Sequence, residues 1–317
     1  MNAMSWSVED EAVIATNTDA TECKRCAVEL GYWKDEYITY FAKHVDRKAP
    51  EINRGYYARV KAIEMFIHQF LERCGTKCQI INLGCGFDTL YWRLKDTTQA
   101  VSNFVELDYP SVIGKKCQII KRNKALLEKI CTEDGEVVVR SGDLHAEGYH
   151  LAGCDLANVA EVARKLAGAG VRGDTPALLL AECVLVYLRP VAADALLAHL
   201  AAAFPRCVLL LYEQCNLADR FGEVMLRNLS ARGCALAGER FCRDPAAQEQ
   251  RLLAAGFEAA RCWDMEAVWR AFPEEERTRV EALEMLDERE LLQQLHSHYA
   301  LSVATRGALF ADLDLNC

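Results

Sequence analysis

The sequence predicts an α/β chain built on a doubly wound, mostly parallel sheet, and three observations carry that expectation. A short apolar run, Ile80 to Leu83, ends in the turn Gly84-Cys85-Gly86. A second run, Phe104 to Leu107, closes on Asp108. Apolar runs then alternate with helical periods to about residue 212, and two strand-like segments follow late in the chain.

Residues 1–20 are polar and read as a frayed end. Residues 21–75 read as helical with short breaks. The strongest helix runs from about Arg54 to Cys74, with Asn53 as its N-cap and Gly75 as its stop. Tyr56, Val60, Ile63, Phe66, Ile67 and Phe70 form its apolar stripe. Arg59 falls on that stripe. Either it snorkels at the edge, or its guanidinium meets a buried anion.

Strands are expected at 79–83, 103–107, 149–154, 177–183 and 206–212, with the clearest intervening helices at 157–168 and 191–203. Phe257 to Trp263 and His298 to Thr305 read as a closing antiparallel pair. A parallel sheet finished in that way is the seven-stranded arrangement of class I methyltransferases. The chain is expected to be a single domain over 1–317. It divides into a helical arm (1–75), a core (76–213 and 256–317) and a helical lid (214–255). Arm and lid are both placed to cover the C-terminal strand edge, where open α/β sheets bind ligands.

The glycine turn and the acid narrow the ligand. Glycines let backbone approach a bound group, and a carboxylate at the next strand tip can accept both ribose hydroxyls. Glu106 and Asp108 both follow Gly84 at close to the usual spacing of roughly 20 residues, and they share one strand face. A dinucleotide fingerprint wants a third glycine, where this chain has Thr89. That favours S-adenosylmethionine, which has no phosphates, over NAD.

Composition excludes several classes. A net charge of −9 argues against nucleic-acid binding, which rests on cationic contacts with phosphate. Lys115, Lys116, Lys121, Arg122 and Lys124 read as a solvated helix face. The 15 cysteines are scattered through apolar runs with no signal-peptide pattern before them, which suits a reduced compartment, cytoplasmic and also nuclear. Cys23 and Cys26 have CxxC spacing, but no second pair follows, so no metal site is expected. No apolar run reaches the ~20 residues of a membrane span.

Longer motifs go further. They are Lys24-Arg25, Arg47 through Arg59, Asn82-Leu83-Gly84, Glu106-Leu107-Asp108, Ala181 through Tyr187, Tyr212-Glu213-Gln214 and Asp219 through Gly222. Through these the chain resembles the leucine carboxyl methyltransferases, which methyl-esterify the C-terminal leucine of protein phosphatase 2A catalytic subunits. The resemblance implies that Lys24 and Arg59 hold the methionine carboxylate of S-adenosylmethionine and that Gly84 allows its close approach. It implies Asp108 on the ribose, Asp155 and Leu156 on the adenine, and Glu182 beside the methionine amino group. Tyr187 is a pocket wall or substrate contact; Arg59 and Tyr187 are the candidate catalytic pair. Asp155-Leu156-Ala157-Asn158 departs from the family's more charged pattern, and 130–148 matches poorly. The implied partner is a phosphatase catalytic subunit, met by a monomer without nucleic acid or membrane. The alternatives are a related carboxyl or O-methyltransferase acting on a small molecule or tRNA-borne carboxylate, and a non-catalytic phosphatase-binding protein.

Overall fold

The computed structural model describes residues 8–43, 45–97, 101–131 and 135–315. Three helices come first: α1 (Val8–Glu29), α2 (Ile38–Phe41) and α3 (Pro50–Cys74). The sheet opens with β1 (Gln79–Leu83), α4 (Leu90–Asp96) and β2 (Asn103–Asp108). Helices α5 (Pro110–Arg122) and α6 (Lys124–Ile130) lead to β3 (Val138–Arg140), β4 (Asp143–Ala146) and β5 (Tyr149–Gly153). Next come α7 (Val159–Gly168), β6 (Ala177–Glu182), α8 (Pro190–Ala203) and β7 (Cys207–Gln214). The chain continues through α9 (Arg220–Ala231), α10 (Pro245–Ala254) and β8 (Ala259–Asp264). Helices α11 (Met265–Ala271), α12 (Glu274–Glu281) and α13 (Arg289–Ser297) precede β9 (Tyr299–Arg306).

The strand order is β3-β4-β5-β2-β1-β6-β7-β9-β8. The five strands from β5 to β7 are parallel, and β9 runs antiparallel between β7 and β8. β1 and β7 are buried along their whole length, which fits apolar runs covered by helices on both faces. One face packs Phe66 and Phe70 of α3, Trp92 of α4 and Ile120 of α5 against Leu178 and Leu210. The other packs Val162 of α7, Leu196 and Leu200 of α8 and Leu252 of α10 against Leu179 and Leu209. This is the class I methyltransferase fold.

The structure differs from the sequence reading in five places. The polar segment read as a frayed end is helical from Val8, and α1 runs unbroken to Glu29. α3 starts at Pro50 with Ala49 at its cap, because proline at the first helical position suits a helix start. Asn53 is fully buried and donates to Glu284 Oε2 (2.9 Å) instead of capping. Segment 130–148 carries the hairpin strand pair β3–β4 at the sheet edge. Lys116 is not solvated: its ammonium is fully buried, 2.7 Å from Glu106 Oε2.

The fifth difference is the insertion of α11–α13 between β8 and β9. It clamps α3. Tyr57 meets Trp269 and Phe272 edge to face, and Tyr32 and Asn53 both donate to Glu284.

Candidate active site

The ends of β1, β2, β5, β6, β7 and β9, with helices α1, α3, α5, α9, α11 and α13, enclose a cavity of about 780 Å³, within the roughly 300–1,000 Å³ usual for small-molecule sites. Its floor is the glycine turn after β1. Gly84 has φ +67°, and a side chain there would strike Val184. Gly86 has φ +50°, and a Cβ there would strike Asn17 Oδ1. Asn17 belongs to α1, and the same oxygen accepts the Phe87 N–H at 2.8 Å. The first helix therefore docks on the turn.

Asp108 stands at the tip of β2 and lines the cavity. Its carboxylate accepts the Gly86 N–H and the Tyr109 N–H, each at 2.7 Å. Burial pushes its pKa up against those two hydrogen bonds and the Lys116 charge. Glu106, on the same strand face, has another task. It accepts Tyr149 Oη (2.7 Å) and Lys116 Nζ, while Lys116 also donates to the Asp88 carbonyl at 2.8 Å. The pair forms a buried brace behind the turn. Burial raises the Glu106 carboxyl, and Lys116 and Tyr149 pull it back.

A charged cluster sits at the tip of β6. Glu182 Oε2 accepts Arg59 Nε at 2.7 Å and Lys24 Nζ at 3.4 Å. Lys24 also lies 3.9 Å from Asp88 Oδ1. Burial pushes Asp88 up, but Lys24, Arg93 and Lys116 outweigh it and hold the carboxyl at about 2. The Arg59 guanidinium lies over Tyr212 (4.8 Å) and Tyr56 (5.6 Å). Burial works against its charge, and Glu182 more than restores it. The sequence left two readings of Arg59 open; the structure gives it a buried anion, and that anion is Glu182 of the protein itself. Cys183, next in the chain, has φ +55°, a strained conformation of the kind that clusters at functional sites.

Lys24, Arg59, Gly84, Asp108, Leu156, Glu182 and Tyr187 all line this cavity. Asp155 does not: its carboxylate turns back to accept the Ala157 N–H at 2.9 Å, between the lining residues Cys154 and Leu156. Sequence reasoning missed Asn17, Asp88, Met265, Leu295, His296 and Tyr299, which also line it. Asp88 was legible, because it stands two residues after the glycine turn. Asn17 lay in a segment too polar to read as a helix, and nothing in the sequence joins α11–α13 to the cavity.

The residues fit an adenosine-bearing sulfonium. The glycine turn offers bare backbone, Asp108 keeps free lone pairs, Leu156 gives an apolar face, and the Lys24–Arg59–Glu182–Asp88 cluster presents both charges to a zwitterion.

Comparison with known proteins agrees with this geometry. A solved structure of a methyltransferase candidate from Thermobifida fusca shares the fold, with a TM-score of 0.51 at 16% identity over 90% of this chain and 94% of that one. Human tRNA wybutosine-synthesizing protein 4 is 36% identical over 93% of this chain but only 44% of its own length. Leucine carboxyl methyltransferase 1 of Bos taurus is 41% identical over 94% of this chain and 91% of its own. The leucine carboxyl methyltransferase family model matches residues 12–201. A methyltransferase sheet, one cavity at its C-terminal edge and this extent of similarity lead to one conclusion: the chain belongs to the leucine carboxyl methyltransferase family.

Proposed function

We propose that this enzyme uses S-adenosylmethionine to methyl-esterify the C-terminal leucine of a protein phosphatase 2A-type catalytic subunit. The observation that carries the reading is the grouping of Lys24 and Arg59 around Glu182 in the same cavity as Gly84 and Asp108. The sulfonium supplies a methyl group that is already activated.

In this reading Asp108 accepts from the ribose, Leu156 covers the adenine with Asp155 shaping its loop, and Lys24 and Arg59 face the methionine carboxylate. Glu182 faces the amino group, and Tyr187 and Arg59 border the reacting end. The incoming carboxylate, with an ordinary pKa of roughly 3.3–3.7, is ionised at pH 7 and needs no base. Attack joins two opposite charges, so water stabilises the reactants more than the transition state. Val184, Leu188, Leu229, Met265 and Leu295 line the cavity and displace that water, which favours an aligned approach. Residues 1–75 and 214–255 serve as arm and lid for the phosphatase tail.

The test is transfer of labelled methyl to the intact catalytic subunit, to the same subunit lacking its last leucine, and to tRNA. Base-labile label on the intact subunit alone is expected. Label on the truncated subunit or on tRNA instead would refute the substrate assignment.

A further inference from the structure

Two buried side chains on the cavity wall keep polar atoms that make no direct hydrogen bond within the protein. His296, at the end of α13, is 2% exposed, and neither ring nitrogen makes a hydrogen bond. Its Nδ1 faces Glu266 Oε2 from 3.8 Å, beyond bonding distance. Gln214, at the tip of β7, is 3% exposed, and its Oε1 is unpartnered. Gln214 pairs in the sheet with Tyr299, three residues after His296, so both residues belong to the β7–β9 end of the cavity. Both line the cavity. A buried donor or acceptor left unmade is unfavourable, and most such groups in folded proteins are paired. Two on one wall mark a ligand that supplies the missing partners.

Their position identifies which ligand. Along the sheet edge the order is Asp108 on β2, Gly84 on β1, Glu182 on β6, Gln214 on β7 and Tyr299 on β9. Strands lie about 4.8 Å apart. The cofactor residues therefore occupy β5 to β6, and Gln214 lies beyond Glu182, on the side away from Asp108. The Tyr212 ring connects the two regions, lying under Arg59 at 4.8 Å and stacking on Tyr299 at 5.5 Å. Met265 and Leu295 line the wall near His296.

A ring N–H and an amide oxygen on the cavity wall can meet a carbonyl and an N–H of an incoming peptide backbone. We infer that His296 and Gln214 read the backbone of the substrate's C-terminal tail, His296 donating to a carbonyl and Gln214 accepting an N–H. Both are substrate-binding residues, and they make the site selective for a chain ending in leucine over the free amino acid. A site built around buried polar groups rejects ligands that leave them unpaired. The inference rests on the substrate reading above.

The test compares wild type, His296→Leu, His296→Gln and Gln214→Leu, with the intact leucine-ended subunit as substrate. Each variant is measured for substrate KM and kcat, for cofactor Kd by calorimetry and for Tm. His296→Leu and Gln214→Leu are expected to raise KM at least tenfold, with cofactor Kd within twofold of wild type. Their Tm should be unchanged or higher, because an apolar replacement removes an unpaired polar group. His296→Gln, which keeps an N–H donor, should recover KM to within about threefold. Wild-type KM in both leucine variants, or a KM loss matched by equal losses in cofactor affinity and Tm, would overturn the inference alone. A wild-type enzyme inert towards the intact subunit would overturn the substrate reading, and this inference with it.

Discussion

Arg59 keeps its charge where water hardly reaches because three groups share it: the Glu182 carboxylate and the faces of Tyr56 and Tyr212. The helical stripe in the sequence placed this arginine on the buried side but could not say which anion it would meet, since Glu182 is far away in the chain. Asp108 was legible as an acid at a strand tip, yet spacing alone did not separate it from Glu106. What separates them is Lys116, which takes Glu106 into the interior. Asp108→Ala is therefore expected to weaken cofactor binding by about 1.5–3 kcal/mol, the range for a hydrogen bond to a charged group. Isothermal titration calorimetry checks it, and unchanged affinity would remove Asp108 from the ribose. A second residue sets a pH dependence. His145 and His150 face each other across β4 and β5 with Nδ1 atoms 2.9 Å apart, and burial, helped by His145, pushes His150 down to about 4. The unfolded chain takes up this proton near pH 6.5, while the folded chain resists until about 4. Its contribution is thus constant above about pH 6.5, and stability falls as pH drops from there towards 4. Urea midpoints of wild type and His150→Asn between pH 7.5 and 4.5 should show a shallower fall in the variant.

At the scale of elements, α5 does more than cover the sheet. Its Lys116 pairs with Glu106 of β2 and ties the carbonyl of Asp88, after the β1 turn, to the same ammonium. One helix therefore fixes the geometry of two strand tips. Lys116→Met leaves Glu106 buried and unpaired and is expected to cost about 3–5 kcal/mol. Adding Glu106→Leu should return much of that loss, because a buried ion pair is often no better than its apolar isosteres. Denaturant unfolding of the single and double variants measures both. If the two substitutions simply added, the pair would not be coupled. The sequence hid this brace, since Lys116 sits among lysines and arginines that do face solvent. The five parallel strands and their helices were legible, because continuous apolar runs between turn residues have few other uses. Strands β3 and β4 were not: β3 has three residues and is largely exposed, and β4 has four with Asp143 and His145 at alternate positions.

For the whole molecule, the cavity is assembled from distant parts of the chain. Asn17 of α1, the glycine turn, Glu182, Leu229 of α9, and Met265 and His296 of the late insertion meet only in the finished fold. Motif reading found the contributors at the strand tips together with Lys24 and Arg59, and missed Asn17 and the residues of the late insertion, whose faces are set by what they pack against. One feature of the sheet bears on how the protein is made. The last strand, β9, is an interior strand, held between β7 and β8. On the ribosome, β7 and β8 therefore emerge before the strand that joins them. Synthesis of residues 265–298 separates β8 from β9, roughly 2–7 s at the ~5–20 residues per second of translation. For that interval β7 offers an unpaired, mostly apolar edge, the surface on which foreign strands add. The nascent chain is thus most open to foreign pairing while residues 265–298 are being made. A ribosome stalled anywhere in that stretch would release a product that has most of its core but neither its keystone nor its active site.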